Sequence, residues 1–158
     1  MLLLCEKNGV RGINMYFEEF VLGSKTEIEP ATIHKDDMID FANKYDNIPL
    51  HTDEEYAKLS IFGGLIAPGV MSFMSVWAKY LEIDLAGDEL IAGKSTKIEW
   101  LKPVYAEDVL TSICTVSKLT RRSKKNGIVE LTFEVFNQTG DLVLTNVTEM
   151  IVKCMLAK

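Results

Sequence analysis

The residues best suited to chemistry in this chain are an aspartate and a histidine five positions apart, Asp46 and His51. They stand in the run 41–51, Phe-Ala-Asn-Lys-Tyr-Asp-Asn-Ile-Pro-Leu-His. Pro49 fixes its own φ and biases Ile48 toward extended backbone, so the path from Asp46 to His51 is short and defined. A carboxylate beside an imidazole that titrates near neutrality can pass protons in both directions, and the two could share one water. The spacing leaves a plainer alternative open, in which Asp46 ends a helix and His51 is a solvated loop residue. His34 reads as a helix-start residue without a chemical role. Cys5, Cys114 and Cys154 are odd in number and far apart, unlike a disulfide framework or a zinc site, so a reducing compartment and no metal are expected.

The elements that must position this pair can be read from periodicity. Residues 17–33 alternate loosely around Gly23 and Ser24 and predict a β-hairpin or two short strands. Met38, Phe41, Ala42 and Tyr45 recur at helical spacing, with Asp36 and Asp37 in the first turn where the helix dipole favours anions. Asp46, Asn47 and Pro49 stop that helix. Thr52 and Glu55 predict a capping box for a short helix through Leu59, ended by Gly63 and Gly64. Residues 69–81 form a helix with no charge before Lys79 and apolar residues all round, which predicts burial on every side. Period-two alternation then takes over at Lys97–Trp100 and residues 109–116. A basic turn follows, ending in the hairpin signal Asn126-Gly127. Residues 128–136 alternate, residues 137–141 turn, and residues 142–152 close the sheet. An antiparallel sheet after one wholly apolar helix is best packed by wrapping the sheet around the helix, the hot-dog arrangement of the α+β class.

The composition, 47% hydrophobic and 25% charged over 158 residues, suits one well-buried domain. No apolar run reaches the roughly 18 residues of a membrane span, so a soluble, cytoplasmic protein without membrane contact is expected. Leu2, Leu3, Leu4 and Cys5 resemble the end of a lipoprotein signal, but no basic n-region or long apolar stretch precedes them. Residues 1–14 are therefore expected to be a flexible extension, with 15–158 forming the domain. A net charge of -6 argues against nonspecific nucleic-acid binding.

Asp46, Pro49, Leu50 and His51 match four positions of the motif Asp-x-Asn-Pro-Leu-His, and here the chain resembles the MaoC-like (R)-specific enoyl-CoA hydratases. The flanks agree in order: Phe41-Ala42, Tyr56-Ala57, Gly64-Leu-Ile-Ala-Pro-Gly69, Trp100-Leu-Lys-Pro-Val104 (where the family has Phe-x-x-Pro-Val) and Glu107-Asp108. The resemblance covers about residues 25–153. It implies that Asp46 and His51 activate a water for syn addition across the 2,3-double bond of a trans-2-enoyl-CoA. It also implies that the Gly69 N–H meets the thioester carbonyl, where orphan amides at a helix start favour developing negative charge. Without the resemblance, Gly69 is simply a tight start to the helix. The chain departs from the family pattern at Ile48, where an Asn is usual, at Lys44-Tyr45, where Ser-Gly is common, and at Pro68, where His or Ser is frequent. Ile48 and Pro68 are expected to bear on substrate choice, since an apolar side chain cannot replace an orienting amide.

The substrate so implied is an acyl-CoA or acyl-carrier thioester, with no separate cofactor. Arg121, Arg122, Lys124 and Lys125 could meet coenzyme A phosphates, or could be a solvated hairpin tip; Lys94, Lys97 and Lys102 are equal candidates. Met71, Phe73 and Met74 read as core. An open sheet edge predicts a homodimer. Two other functions compete: a thioesterase, disfavoured because residues 69–80 carry no acid, and a noncatalytic acyl-CoA-binding module.

Overall fold

The computed structural model describes residues 5–7 and 10–155. Strands β1 (Cys5–Lys7) and β2 (Val10–Gly12) pair antiparallel. A 3-10 turn, Phe17–Glu19, leads to β3 (Lys25–Thr32). Helices α1 (Lys35–Tyr45), α2 (Pro49–Thr52), α3 (Glu54–Leu59) and α4 (Gly69–Ile83) follow. Then come β4 (Leu90–Trp100), β5 (Val109–Arg121), β6 (Asn126–Phe136) and β7 (Leu142–Lys153). The main sheet is wholly antiparallel in the order β3-β5-β6-β7-β4. This is the expected hot dog: four strands follow the long helix, and one precedes it.

The inner face of the sheet is set by alternation. Leu110, Cys114 and Val116 of β5, Val129, Leu131, Phe133 and Val135 of β6, and Leu144, Met150 and Val152 of β7 all point inward and are buried. Phe73, Val76 and Tyr80 of α4 meet them. Phe133 stands edge-on to Phe73, Trp77 and Tyr80, with centroids 6.0, 5.8 and 5.4 Å away. Each such aromatic pair adds about 0.5–1.5 kcal/mol beyond the area it buries.

Four sequence expectations need correction. Residues 17–33 hold one strand, not two, because Phe17 and Phe20 are buried plugs ahead of the turn at Gly23 rather than members of an alternating strand. The cap of α3 is Asp53, whose carboxylate accepts from the Tyr56 amide at 3.0 Å; Thr52 already belongs to α2 and donates its hydroxyl to the Ile48 carbonyl. Asn126-Gly127 opens β6 instead of forming the turn, since Arg122 and Ser123 donate their amides back to the Asn126 carbonyl. Lastly, α4 is not covered all round in the single chain. Val70, Met74 and Leu81 are exposed because one sheet covers only one side of a helix.

Of the segment 1–14, residues 1–4 and 8–9 lie outside the described residues. At its end Ile13 donates its amide to the Asp84 carbonyl, and the Asn14 side chain accepts from the Asp88 amide.

Candidate functional site

Asp46 closes α1. Its amide still donates to the Ala42 carbonyl at 2.9 Å, but its φ of -153° has left the helix. Ile48 is extended, as expected of a residue before proline, and Pro49 opens α2 at the position where a missing N–H costs nothing. His51 therefore sits on a one-turn helix, not a loop. Its amide donates to the Ile48 carbonyl at 3.0 Å.

The His51 ring is buried while Asp46 is 47% exposed, so the pair spans the boundary between core and solvent. Nδ1 lies 2.7 Å from the Ile66 carbonyl. A carbonyl can only accept, so the neutral ring carries its proton on Nδ1 and keeps a lone pair on Nε2. That carbonyl is itself held in place: the Ile66 amide donates to Leu50 and the Ala67 amide to Val104. Nε2 stands 3.5 Å from Asp46 Oδ2. This is too long for a strong direct hydrogen bond and short enough for both to accept from one water.

Asp46, His51 and Gly69 line one cleft of about 470 Å³. Its remaining walls include Phe62, Val70, Ser72, Trp100 and Lys102. The first bond of α4 runs from the Ser72 amide to the Pro68 carbonyl, leaving the amides of Gly69, Val70 and Met71 ahead of it without helical acceptors. Gly69 has a packing reason as well. A Cβ built there would fall on the Trp100 indole, nearest to Nε1, so only glycine lets the ring lie against the start of the helix.

The other sequence candidates lie elsewhere. Pro68 is the N-cap of α4 and contributes its carbonyl, and Ile48 exposes its side chain while its carbonyl serves α2. Neither side chain lines the cleft. Arg121 is committed to an ion pair with Glu18 and lies over the Phe17 ring, and neither it, Arg122 nor Lys124 reaches the cleft of this chain. Lys102 does, with Nζ 2.7 Å from Asp141 Oδ1. That ion pair holds the Asp141 carboxyl below its usual range. Burial pushes the Cys114 thiol up to about 12, which removes it as a nucleophile. Sequence reasoning did not identify Trp100 as a wall of the site. The one available signal was a glycine opening a long helix, which marks a close approach without naming its partner.

Comparison with known proteins agrees with this fold. The family model for the MaoC like domain matches residues 19–138. An uncharacterized protein of Bacillus subtilis, YdeM, is 30% identical over 142 residues, covering 88% of this chain and 99% of its own length. Among solved structures, the monoamine oxidase regulatory protein from Archaeoglobus fulgius superposes with a TM-score of 0.82 at 32% identity, covering 92% of this chain and 98% of that one. The unliganded R-hydratase PhaJ1 from Pseudomonas aeruginosa superposes with a TM-score of 0.71 at 26% identity, covering 92% and 93%. With its hot-dog sheet and a family match spanning most of its length, the chain belongs to the MaoC-like domain family.

Proposed function

We propose that the chain is a hydro-lyase that reversibly adds water to a trans-2-enoyl thioester of coenzyme A or an acyl carrier, yielding the (R)-3-hydroxyacyl thioester. The observation that carries this reading is the pairing of His51 Nε2 with Asp46 Oδ2 across 3.5 Å, in a cleft that also receives the free amides of α4. The likeness to an R-hydratase supports it.

In this mechanism one water donates to both acceptors. Its oxygen bonds to C3 as the pair removes one of its protons, and the double-bond electrons move toward the thioester carbonyl. The Gly69 N–H stabilises the charge on that oxygen. The proton taken from water is then delivered to C2, so one water is added in total and the pair returns to its starting state. Hydrolysis of the thioester fits less well, because α4 carries no carboxylate until Glu82, at the end remote from the cleft.

The test is to incubate the protein with crotonyl-CoA, following the enoyl absorbance while a thiol reagent reports free coenzyme A. Absorbance loss without thiol is expected. Thiol release would indicate hydrolysis, and neither change would leave only binding.

The same reading includes a homodimer. Among the described residues β4 is an edge strand with one side unpaired, and the exposed Val70, Met74 and Leu81 of α4 are apolar surface that a second copy would remove from water. Sedimentation at micromolar concentration is expected to give twice the chain mass; a monomer would count against it.

A further inference from the structure

The Trp100 indole is placed with more care than a cleft wall needs. Trp100 ends β4 opposite Leu144 of β7, and the two following amides, of Leu101 and Lys102, both donate to the Val143 carbonyl at 2.8 and 3.1 Å. The chain is thus pinned on both sides of the ring. The ring lies on Gly69, and Nε1 is the atom nearest to where a Cβ would stand. Trp100 is nonetheless 56% exposed, lines the cleft, and gives its indole N–H no hydrogen-bond partner among the described residues. An indole N–H can only donate, and this one, engaged by no acceptor among the described residues, is available to an acceptor on a bound ligand.

Two residues that carry uncharged donors, Gly69 with its amide and Trp100 with its indole, therefore line the cleft that holds Asp46 and His51. Resting on the hydratase reading, we propose that Trp100 Nε1–H is the second hydrogen-bond donor to the thioester carbonyl oxygen, acting beside Gly69. A carbonyl oxygen has two lone pairs, and the enolate-like oxygen formed when water adds at C3 accepts more strongly than the ground-state carbonyl. A donor fixed before the reaction stabilises that charge without reorganising. Phenylalanine at this position would keep an aromatic ring beside Gly69 and could not donate. Neither an amide nor an indole N–H titrates in the working pH range, so this contribution is independent of pH.

Two measurements decide it. The chain has only two tryptophans, Trp77 and Trp100, so a protein labelled with 15N-tryptophan shows two indole signals, and Trp100→Phe identifies which is which. Saturated butyryl-CoA has the carbonyl and cannot be hydrated. On its addition to the wild-type protein, the Trp100 indole proton is expected to move downfield while that of Trp77 stays. In turnover of crotonyl-CoA, Trp100→Phe is expected to lower kcat by about 10- to 100-fold with KM changed by less than about threefold, the pattern of a contact strengthened in the transition state. An unmoved indole signal with butyryl-CoA at saturation, no binding of butyryl-CoA at millimolar concentration, or a Trp100→Phe enzyme with wild-type kcat would each overturn the assignment. If the wild type hydrates nothing yet its Trp100 signal moves with butyryl-CoA, the donor role stands and the hydratase reading falls.

Discussion

Two places in this molecule use the same packing device, an aromatic ring laid where a glycine has no Cβ. At the cleft Trp100 covers Gly69, and at the start of β6 Phe17 covers Gly127. Their surroundings differ. Around Phe17 most polar groups satisfy one another, the buried Asn126 Oδ1 excepted: Arg121 lies over the ring and pairs with Glu18, which also accepts from the Met155 amide at 2.9 Å. Those contacts, the Met155 amide foremost, hold the Glu18 carboxyl below its usual range. Around Gly69 the residues that line the cleft include Trp100, His51 and Asp46, and of their polar groups the His51 Nε2 and Asp46 Oδ2 atoms stand 3.5 Å apart. A knot that serves only stability closes most of its hydrogen bonds internally, and a site that takes a ligand leaves more of them open.

The contrast is broken most severely at the acid/base pair. Asp46→Asn and His51→Ala are each expected to lower crotonyl-CoA hydration by about 10²–10⁴-fold, the usual cost of losing a positioned acid or base. Because both act on one water, the double variant is expected to be little worse than the poorer single one. Melting temperatures measured alongside separate lost chemistry from lost fold. Near wild-type turnover in both variants would remove the assignment.

The glycines sharpen the comparison next. Gly69→Ala and Gly127→Ala each force an aromatic ring to move, and overpacking of this kind costs about 1–3 kcal/mol. Both variants are expected to melt lower. Only Gly69→Ala is expected to lose turnover out of proportion to its stability, since displacing Trp100 also disturbs the cleft. Equal activity losses in the two, measured well below either melting point, would show that the difference between the regions is not functional.

Much of this was legible in the sequence, and the failures have physical reasons. α1 and the alternating strands were visible because each buries one face, and burial of one face writes a period into the chain. The end of α1 and the proline after it placed Asp46 and His51 on a defined turn, although the helical form of α2 was missed, since four residues are too few to show a period. Asn126-Gly127 misled because the pair is a turn signal in most hairpins, whereas here Gly127 answers to Phe17, more than a hundred positions earlier. Trp100 was missed for the same reason: no local pattern records that the end of β4 lies against the start of α4. Contacts between distant segments leave no periodic trace, and both glycine and aromatic pairs are of that kind.

The smallest expected effect concerns the charges. Arg122 and Lys124 stand on the turn between β5 and β6, near the closed knot, and Lys102 stands on the open cleft. The ion pair of Lys102 with Asp141 is exposed, and such pairs stabilise little, so the ammonium can exchange its carboxylate for a substrate phosphate at little cost. Lys102→Ala is therefore expected to raise KM for crotonyl-CoA by about three- to tenfold with kcat nearly unchanged, the loss of one partly exposed charge-assisted contact. The increase should shrink as salt is added, because screening weakens the wild-type contact and has nothing to weaken in the variant. The Arg122→Ala, Lys124→Ala double variant is expected to keep its KM within about twofold, since screened charges away from the cleft contribute little. Steady-state kinetics at two ionic strengths decide between the lysine and the hairpin. A salt-sensitive rise in KM for the hairpin variant, with none for Lys102→Ala, would mean that the phosphates are met by the β5–β6 turn, and within a homodimer that turn would have to come from the second copy.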